Sequence, residues 1–364
     1  MHVSILGTRG IPSSHGGFET FAQDLALFLT SRNHDVTVYC QQEDDRSADD
    51  MWHGVRRVFI RSKTHPMGTI AFDWASTWRA SRSKGVVLTL GYNTGALNSL
   101  YRLRRVQSVM NMDGIEWKRE KWSLPQRTWL WLNEWAGARA ANHLIADHPE
   151  IARHLQRHTS AEKITVIPYG ADALTSAPIE PIIANHLLPK AYDLLIARPE
   201  PENSITEIIR AYSLQRRRIP LVVLGKYTPE VNQYHRRVLD MAGPDVRFLG
   251  SIYDREIVTS LRFHARAYIH GHRVGGTNPS LVESMAAGNA IIAHDNRFTR
   301  WVAGPGAKFF KSSDDLAVLL ASLEAHPDQL NAMETASRKR HAELFTQEKV
   351  LFAYEKVLMR FCEA

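Results

Sequence analysis

Cysteine is nearly absent, with Cys40 and Cys362 the only two in 364 residues. That excludes a disulfide framework and a cysteine-based zinc site, and it points to a reducing compartment. No stretch approaches the roughly 18 uninterrupted apolar residues of a membrane span, and the first residues read as a strand rather than a signal peptide. The protein is therefore expected to stay in the cytosol. There is no internal repeat and no low-complexity tract. The tight G-x-G-x-x-G fingerprint of dinucleotide enzymes is missing too: the glycines run Gly7-x-x-Gly10, with Gly16-Gly17 detached. No Tyr-x-x-x-Lys pair is placed for hydride chemistry, so a nicotinamide-dependent epimerase or dehydrogenase fits poorly. His154 and His158 stand one helical turn apart and His270-x-His272 share a strand face, but no carboxylate or cysteine completes either set at a familiar spacing. No metal site is expected.

What is present fits a soluble α/β protein of two domains. A chain of 364 residues with 44% hydrophobic content exceeds one typical core. The net charge of +7 suggests an anionic partner: nucleic acid, an acidic membrane face or a phosphorylated substrate. The basic residues are scattered, as in Arg102-Leu-Arg104-Arg105 and Arg216-Arg217-Arg218, rather than gathered in one tail.

The chain opens with a strand at 3–7, a loop Gly-Thr-Arg-Gly-Ile-Pro (7–12) and His15-Gly16-Gly17. A helix follows with Phe18, Phe21, Leu25, Phe28 and Leu29 at helical spacing, then a strand at 35–40. That order is the first unit of a doubly wound sheet. Further strands are expected at 55–60, 86–90, 106–110, 143–146 and 163–167, and a linker rich in Pro and Ala at 168–189. A second alternating run has strands at 194–197, 221–224 and 246–249, with helices at 205–212, 231–241, 257–262 and 316–323. Residues 330–361 read as amphipathic helix. Two such domains are expected to hold a ligand between them, at the carboxyl ends of their strands.

The most informative stretch is HGHRVGGTNPSLVESMAAGNAIIAHD (270–295), a strand end, glycine turn, helix and second strand. Gly275 and Gly276 allow close approach of a ligand, and Pro279 or Ser280 opens a helix whose free N–H groups favour a phosphate. Glu283, about one turn in, suits hydrogen bonds from sugar or ribose hydroxyls. A glycine loop with a Glu that merely suits the helix dipole explains the same spacing.

Taken together, GTRGIPSSHGGFETFA (7–22), MDGIEWKREKW (112–122), VIPYGAD (166–172), IARPEPEN (196–203) and GGTNPSLVESMAAGNAI (275–291) resemble the GT-B glycosyltransferases, and within them the retaining family-4 enzymes. More narrowly the chain is similar to a bacterial subgroup described as rhamnosyltransferases of polysaccharide assembly. The resemblance implies two Rossmann-like doubly wound domains facing a central cleft, 1–172 and 173–345, with a C-terminal helix at 346–364 packing back on the first. It implies a nucleotide-sugar donor and no cofactor or metal; an Asp-x-Asp pair after a strand, the mark of metal-dependent glycosyltransferases, is also missing.

By the same resemblance, Glu283 matches the second glutamate of a Glu-x7-Glu motif and is expected to bind the donor ribose. Gly275 stands where the first would be, leaving backbone groups of Gly276, Thr277 and Asn278, with Pro279 and Ser280, to hold the donor beside Gly16 and Gly17. Arg198 matches the arginine that neutralises the donor diphosphate, while Asn203 replaces the usual lysine. Lys226 or Arg273 is the candidate for the missing charge, Lys226 preferred because it follows a strand end. Asp113 or Glu116 is expected to orient or deprotonate the acceptor hydroxyl. Arg9, His15 and Trp117 are expected on the acceptor side.

Trp117, Trp122, Trp129, Trp131 and Trp135 are interleaved with Lys118, Arg119, Lys121 and Arg127. Rings beside cations suit an anionic inner-membrane surface and a polyprenyl-diphosphate-linked saccharide acceptor, although Trp131 and Trp135 are expected to pack inside the domain. No nucleic-acid motif accompanies them, and none is expected as partner. The expected activity is retaining transfer of a 6-deoxyhexose, rhamnose from a dTDP donor, in bacterial surface polysaccharide assembly such as O-antigen or capsule, peripheral at the inner membrane. GDP-mannose or a UDP-hexose is the alternative donor, and a non-catalytic nucleotide-binding module the alternative class.

Overall fold

The computed structural model describes residues 1–13, 16–43, 49–119 and 121–362. The chain divides into two compact units, Met1–Pro168 with Val350–Ala364, and Tyr169–Lys349.

The first unit is built on an eight-stranded sheet of β1 (His2–Leu6), β2 (Asp35–Gln42), β3 (Asp50–Trp52), β4 (Val55–Arg61), β5 (Val86–Leu90), β6 (Gln107–Asn111), β7 (His143–Ala146) and β8 (Ile164–Val166). Their order across the sheet is β3-β4-β2-β1-β5-β6-β7-β8. All neighbours are parallel except β3, which pairs antiparallel with β4 at the edge. The central strands are apolar on both faces because helices cover both, and Val3, Ile5, Val38, Leu88 and Val109 are all buried. The helix Gly17–Ser31 lays Phe21, Leu25 and Leu29 on this sheet. Residues 350–362 belong to the same core, through Val350, Leu351, Tyr354 and Leu358. Tyr354 also reaches a strand end, where its hydroxyl accepts a 2.6 Å hydrogen bond from Asn111 Nδ2.

The second unit has six parallel strands, β9 (Asp193–Ile196), β10 (Leu221–Leu224), β11 (Val246–Gly250), β12 (Ala267–His270), β13 (Ala290–His294) and β14 (Lys308–Phe310), ordered β11-β10-β9-β12-β13-β14. The chain moves outward from β9 through β10 to β11 and then returns to place β12 on the other side of β9. The direction of winding thus reverses between β9 and β12, and crevices for ligands open at such reversals, at the carboxyl ends of the strands. In the first unit the corresponding reversal lies between β1 and β5.

Two expectations change. Residues 168–189 are not all linker: a short helix, Glu180–Ala184, seats Ile182 in the second core with Leu187 and Tyr192. The amphipathic stretch 330–361 is two helices, Asp328–Leu344 and Gln347–Cys362, broken where Phe345 is fully buried.

Candidate active site

In the second unit the carboxyl ends of β9, β10 and β12 carry Arg198, Lys226 and the loop from Gly271 to Asn278 respectively. Arg198 and Lys226 are both exposed, and neither has a side-chain partner among the described residues. Arg273 is held by Ser204, at 2.8 Å from its Nε, and by an ion pair with Glu207. Of the two candidate cations, Lys226 is the one without a side-chain partner among the described residues. Asn203, in the place of a lysine, serves the local structure instead. Its Nδ2 donates to the Arg198 carbonyl at 2.8 Å and braces the turn that presents the arginine. Gly271 lets that turn come close, since a Cβ there would lie 2.1 Å from the Asn203 carbonyl oxygen.

The helix Pro279–Ala286 begins beside this loop. Asn278 caps it, its Oδ1 accepting from Ser280 N at 3.0 Å, and proline at the first position needs no partner for the N–H it lacks. Thr277 is buried, whereas Gly276, Asn278, Pro279 and Ser280 are half-buried. Glu283 is about two-fifths exposed and ion-paired with Arg262, whose guanidinium also reaches Ser280 Oγ at 3.4 Å. Ser280 Oγ lies 2.7 Å from the Tyr268 hydroxyl, so the first helical turn is tied down from β12 and from the helix Arg255–His264. Arg262 carries no sequence signal, because it is 21 residues from Glu283 on a different element.

Gly275 has φ of +123°, and a Cβ there would meet nothing within 4 Å. Glycine stands here for its backbone conformation rather than for space, which is why a glutamate does not fit this loop as it is shaped. Behind the loop, His270 is fully buried and stacks on His272 at 4.4 Å between ring centroids. Burial, then the neighbouring His272 and His294, holds the His270 imidazole well below its ordinary pKa, and it stays neutral.

In the first unit the loops after β1, β5 and β6 lie at the reversal point or next to it. Gly7 has φ of +87° and packs against Leu90, where a Cβ would sit 2.1 Å from the carbonyl oxygen. Arg9 is exposed and lines a hollow with Gly10, Pro12, Glu19, Gln41 and Thr64. Gly16 caps the helix that starts at Gly17 and offers it no side chain, and Glu19 lies in the first turn. The chain's own Glu19 carboxylate is close to this helix start, which weakens the case for Gly16 and Gly17 as anion ligands. His15 lies outside the described residues.

Asp113 follows β6 with φ of +50°, held by a 2.8 Å bond from its own N–H to Asn111 Oδ1. The half-buried carboxyl is pushed up to about 6, chiefly by burial and then by the nearby Glu116 charge. Glu116 is itself paired with Arg119 at 3.1 Å and Lys121 at 3.6 Å. Of the two acids, Asp113 is the one without an ion-pair partner among the described residues. Its neighbourhood is fixed by Tyr92, whose hydroxyl accepts from Glu116 N at 2.7 Å.

Trp117 is half-buried, and its Nε1 donates to Glu134 Oε2 at 3.0 Å. The other oxygen of Glu134 meets His154 Nε2 at 2.7 Å and His158 Nε2 at 3.1 Å. The carboxylate that spacing did not supply for the two histidines thus comes from the helix Leu124–Ala140. Among the described residues these three form the group whose donor atoms are gathered as a metal ion would need. Their mutual hydrogen bonds, with the indole of Trp117, give the buried Glu134 oxygens their partners. Trp131 and Trp135 differ from expectation: they are 43% and 42% exposed rather than packed inside. The helix uses Leu130, Asn133, Gly137 and Ala138 for its buried face, and the tryptophans fall on the other.

Residues 182–340 match the family described as glycosyl transferases group 1, and residues 1–172 match a domain of unknown function, DUF1972. No curated protein matches the chain in sequence. Among solved structures, the chain is similar to sucrose-phosphate synthase (tll1590) from Thermosynechococcus elongatus, with a TM-score of 0.80 at 16% identity, covering 99% of this chain and 98% of that one. It is also similar to Anabaena Alr3699/HepE in complex with UDP and glucose, at 0.76 and 15%, covering 98% and 99%. A glycosyltransferase from Rickettsia africae gives 0.72 and 12%, covering 99% and 98%. At these identities the likeness is one of fold, and the fold is the expected one: α/β, with two Rossmann-like parallel sheets as in GT-B glycosyltransferases.

Proposed function

We propose that the chain, whose residues 182–340 match the family described as glycosyl transferases group 1 and whose fold is that of GT-B glycosyltransferases, is a retaining, metal-independent glycosyltransferase moving a 6-deoxyhexose, rhamnose from dTDP-rhamnose, onto a polyprenyl-diphosphate-linked saccharide. It works at the inner membrane face in surface polysaccharide assembly. The observation that carries the reading is the pair of cations without a side-chain partner among the described residues, Arg198 and Lys226, at neighbouring strand ends beside the start of the Asn278-capped helix.

Two positive groups and a helix N-terminus suit a diphosphate that gains charge as it leaves. They also supply the charge that a metal supplies elsewhere. Glu283, oriented by Arg262, takes the ribose hydroxyls, and backbone groups of Gly276 and Thr277 face the sugar. On the acceptor side Asp113 accepts a hydrogen bond from the attacking hydroxyl and orients it. The anomeric carbon–phosphate oxygen bond breaks as the bond to the acceptor oxygen forms on the same face. The departing phosphate takes the acceptor proton. No covalent sugar–protein intermediate is required.

The Anabaena HepE structures hold UDP, UDP with glucose, and UDP-glucose, and a UDP-hexose is therefore the donor to set against dTDP-rhamnose, with GDP-mannose third. A thermal-shift screen of dTDP, UDP and GDP and their sugars reads base and sugar together. The expected result is stabilisation by dTDP-rhamnose above the others, followed by transfer to a lipid-linked acceptor in the presence of EDTA. Stabilisation with neither donor hydrolysis nor transfer would make the chain a binding module. Stabilisation by none of them would remove the donor site.

A further inference from the structure

We propose that the first unit docks on an anionic lipid bilayer through a face made by the helices Pro66–Ala80, Asn98–Leu103 and Leu124–Ala140. The membrane part of the proposed function rests on the tryptophans after Trp117; the structure adds two helices to them and shows which rings point outward. Bringing the enzyme to a lipid-linked acceptor is the purpose that reading gives the face, but vesicle binding tests it without reference to transfer.

The helix Pro66–Ala80 has two apolar faces. Gly68, Phe72 and Ala80 are buried, while Met67, Ala71, Trp74 and Trp78, spaced by four, three and four, are exposed. Trp74 and Trp78 stack on each other at 6.4 Å between centroids, with ring planes 18° apart. An exposed stripe of this size on a water-soluble surface marks an interaction site. Charge says what it meets. The guanidinium of Arg82 lies 4.7 Å from the Trp78 ring and that of Arg104 4.2 Å.

The same pattern continues on the neighbouring helices. Leu103 is 80% exposed beside Arg104. Arg102 donates to the Arg139 carbonyl at 3.1 Å, and Arg139 covers Trp135 at 4.0 Å. Leu124 and Trp131 extend the outward stripe of the last helix. From Arg61 through Asn111 the sequence has eight Lys and Arg and one acidic residue, Asp73. Asp73 is half-buried, accepts from Thr94 Oγ1 at 2.8 Å, and is pushed up to about 6 by burial. The remaining acid on these helices, Glu134, is buried.

Rings that insert at the headgroup level, with Arg82, Arg104 and Arg139 against them and Asp73, the one carboxyl of the helix Pro66–Ala80, half-buried, match an anionic bilayer surface. The face also borders the acceptor side. Trp129 Nε1 donates to the Asn93 carbonyl at 2.8 Å, and Asn93 and Thr94 belong to the loop after β5, next to Tyr92, which holds Glu116.

The test is sedimentation of the full chain with vesicles of phosphatidylcholine alone or with a quarter phosphatidylglycerol, at low and high salt. Binding to the anionic vesicles alone, weakened by salt, is expected. Trp74→Ala with Trp78→Ala, and separately Arg82→Glu with Arg104→Glu, should each lower the partition by about tenfold or more. Trp74, Trp78 and Arg82 are exposed, whereas Arg104 is half-buried and donates to Ser81 Oγ at 3.1 Å, so the melting temperature and the nucleotide-induced thermal shift should stay as in the parent for the tryptophan pair and for Arg82→Glu made alone. Equal, weak binding to both vesicles, or variants that bind like the parent, would overturn the proposal. So would retention on single-stranded RNA in place of vesicles. Failure of nucleotide binding with vesicle binding intact would count against the donor site instead.

Discussion

Asp113 gives the sharpest link between geometry and rate. Its carboxyl is pushed up to about 6 because burial disfavours the charged form and Glu116 adds a like charge, with the Gly114 N–H and then Arg119 and Lys121 pulling the other way. The ionised form is the stronger acceptor for the hydrogen bond from an attacking hydroxyl. With a pKa of about 6, about nine-tenths of the enzyme is ionised at pH 7 and about one-tenth at pH 5. The turnover number should therefore fall as pH drops, half-maximal near pH 6 rather than near 4, measured with saturating donor and a soluble acceptor analogue. Asp113→Asn keeps the shape and removes the charge. It should lose roughly a hundredfold in turnover, flatten that acid limb and leave donor affinity within about twofold. The sign for stability is opposite. Because the folded pKa is raised, Asp113 favours the folded state at pH below the ordinary carboxylate value, and that contribution is lost as pH rises through about 6. Asp113→Asn should then be no less stable than the parent at pH 7. An Asn variant with full turnover, or an acid limb that survives the substitution, would refute the assignment.

Other outcomes follow from the same contacts. Arg262→Met frees Glu283 and the first helical turn, and donor affinity should fall about tenfold with turnover changed less than about threefold, read by calorimetry and initial rates. Gly275→Ala has room for its methyl group but not the backbone freedom, so it should cost about 1 kcal/mol or more in urea unfolding, and Gly275→Glu should not improve transfer. Tyr354→Phe leaves the buried Asn111 Nδ2 without its partner and should cost about 1–3 kcal/mol, with a smaller loss in turnover through the Asp113 turn that Asn111 holds.

Much of the architecture was legible because parallel strands buried on both faces write short apolar runs into the sequence. The strands at 86–90, 143–146 and 221–224 fall where the runs predict, while β3 and β14, three residues each, carry too little pattern to be seen. The helix start was legible from Pro279 and Ser280, and the glycine turn from its composition, while the cap by Asn278 was not read. The partners were not. Arg262 meets Glu283, Glu134 meets His154 and His158, and Tyr354 meets Asn111, all across long sequence separations that no local period encodes. Trp131 and Trp135 show the limit of helical spacing itself. One turn apart places two rings on one face, but only the packing of Asn133, Gly137 and Ala138 decides which face is inward.

The proposed site for a nucleoside diphosphate is at the carboxyl ends of β9, β10 and β12. Calorimetric titration of dTDP and UDP into the parent, Arg198→Ala and Lys226→Ala tests it directly. Each substitution removes a cation that has no other partner among the described residues, so each should weaken the better-bound diphosphate by about tenfold or more and leave the melting temperature of the free protein unchanged. Diphosphate affinity that is the same in all three proteins would place the nucleotide elsewhere.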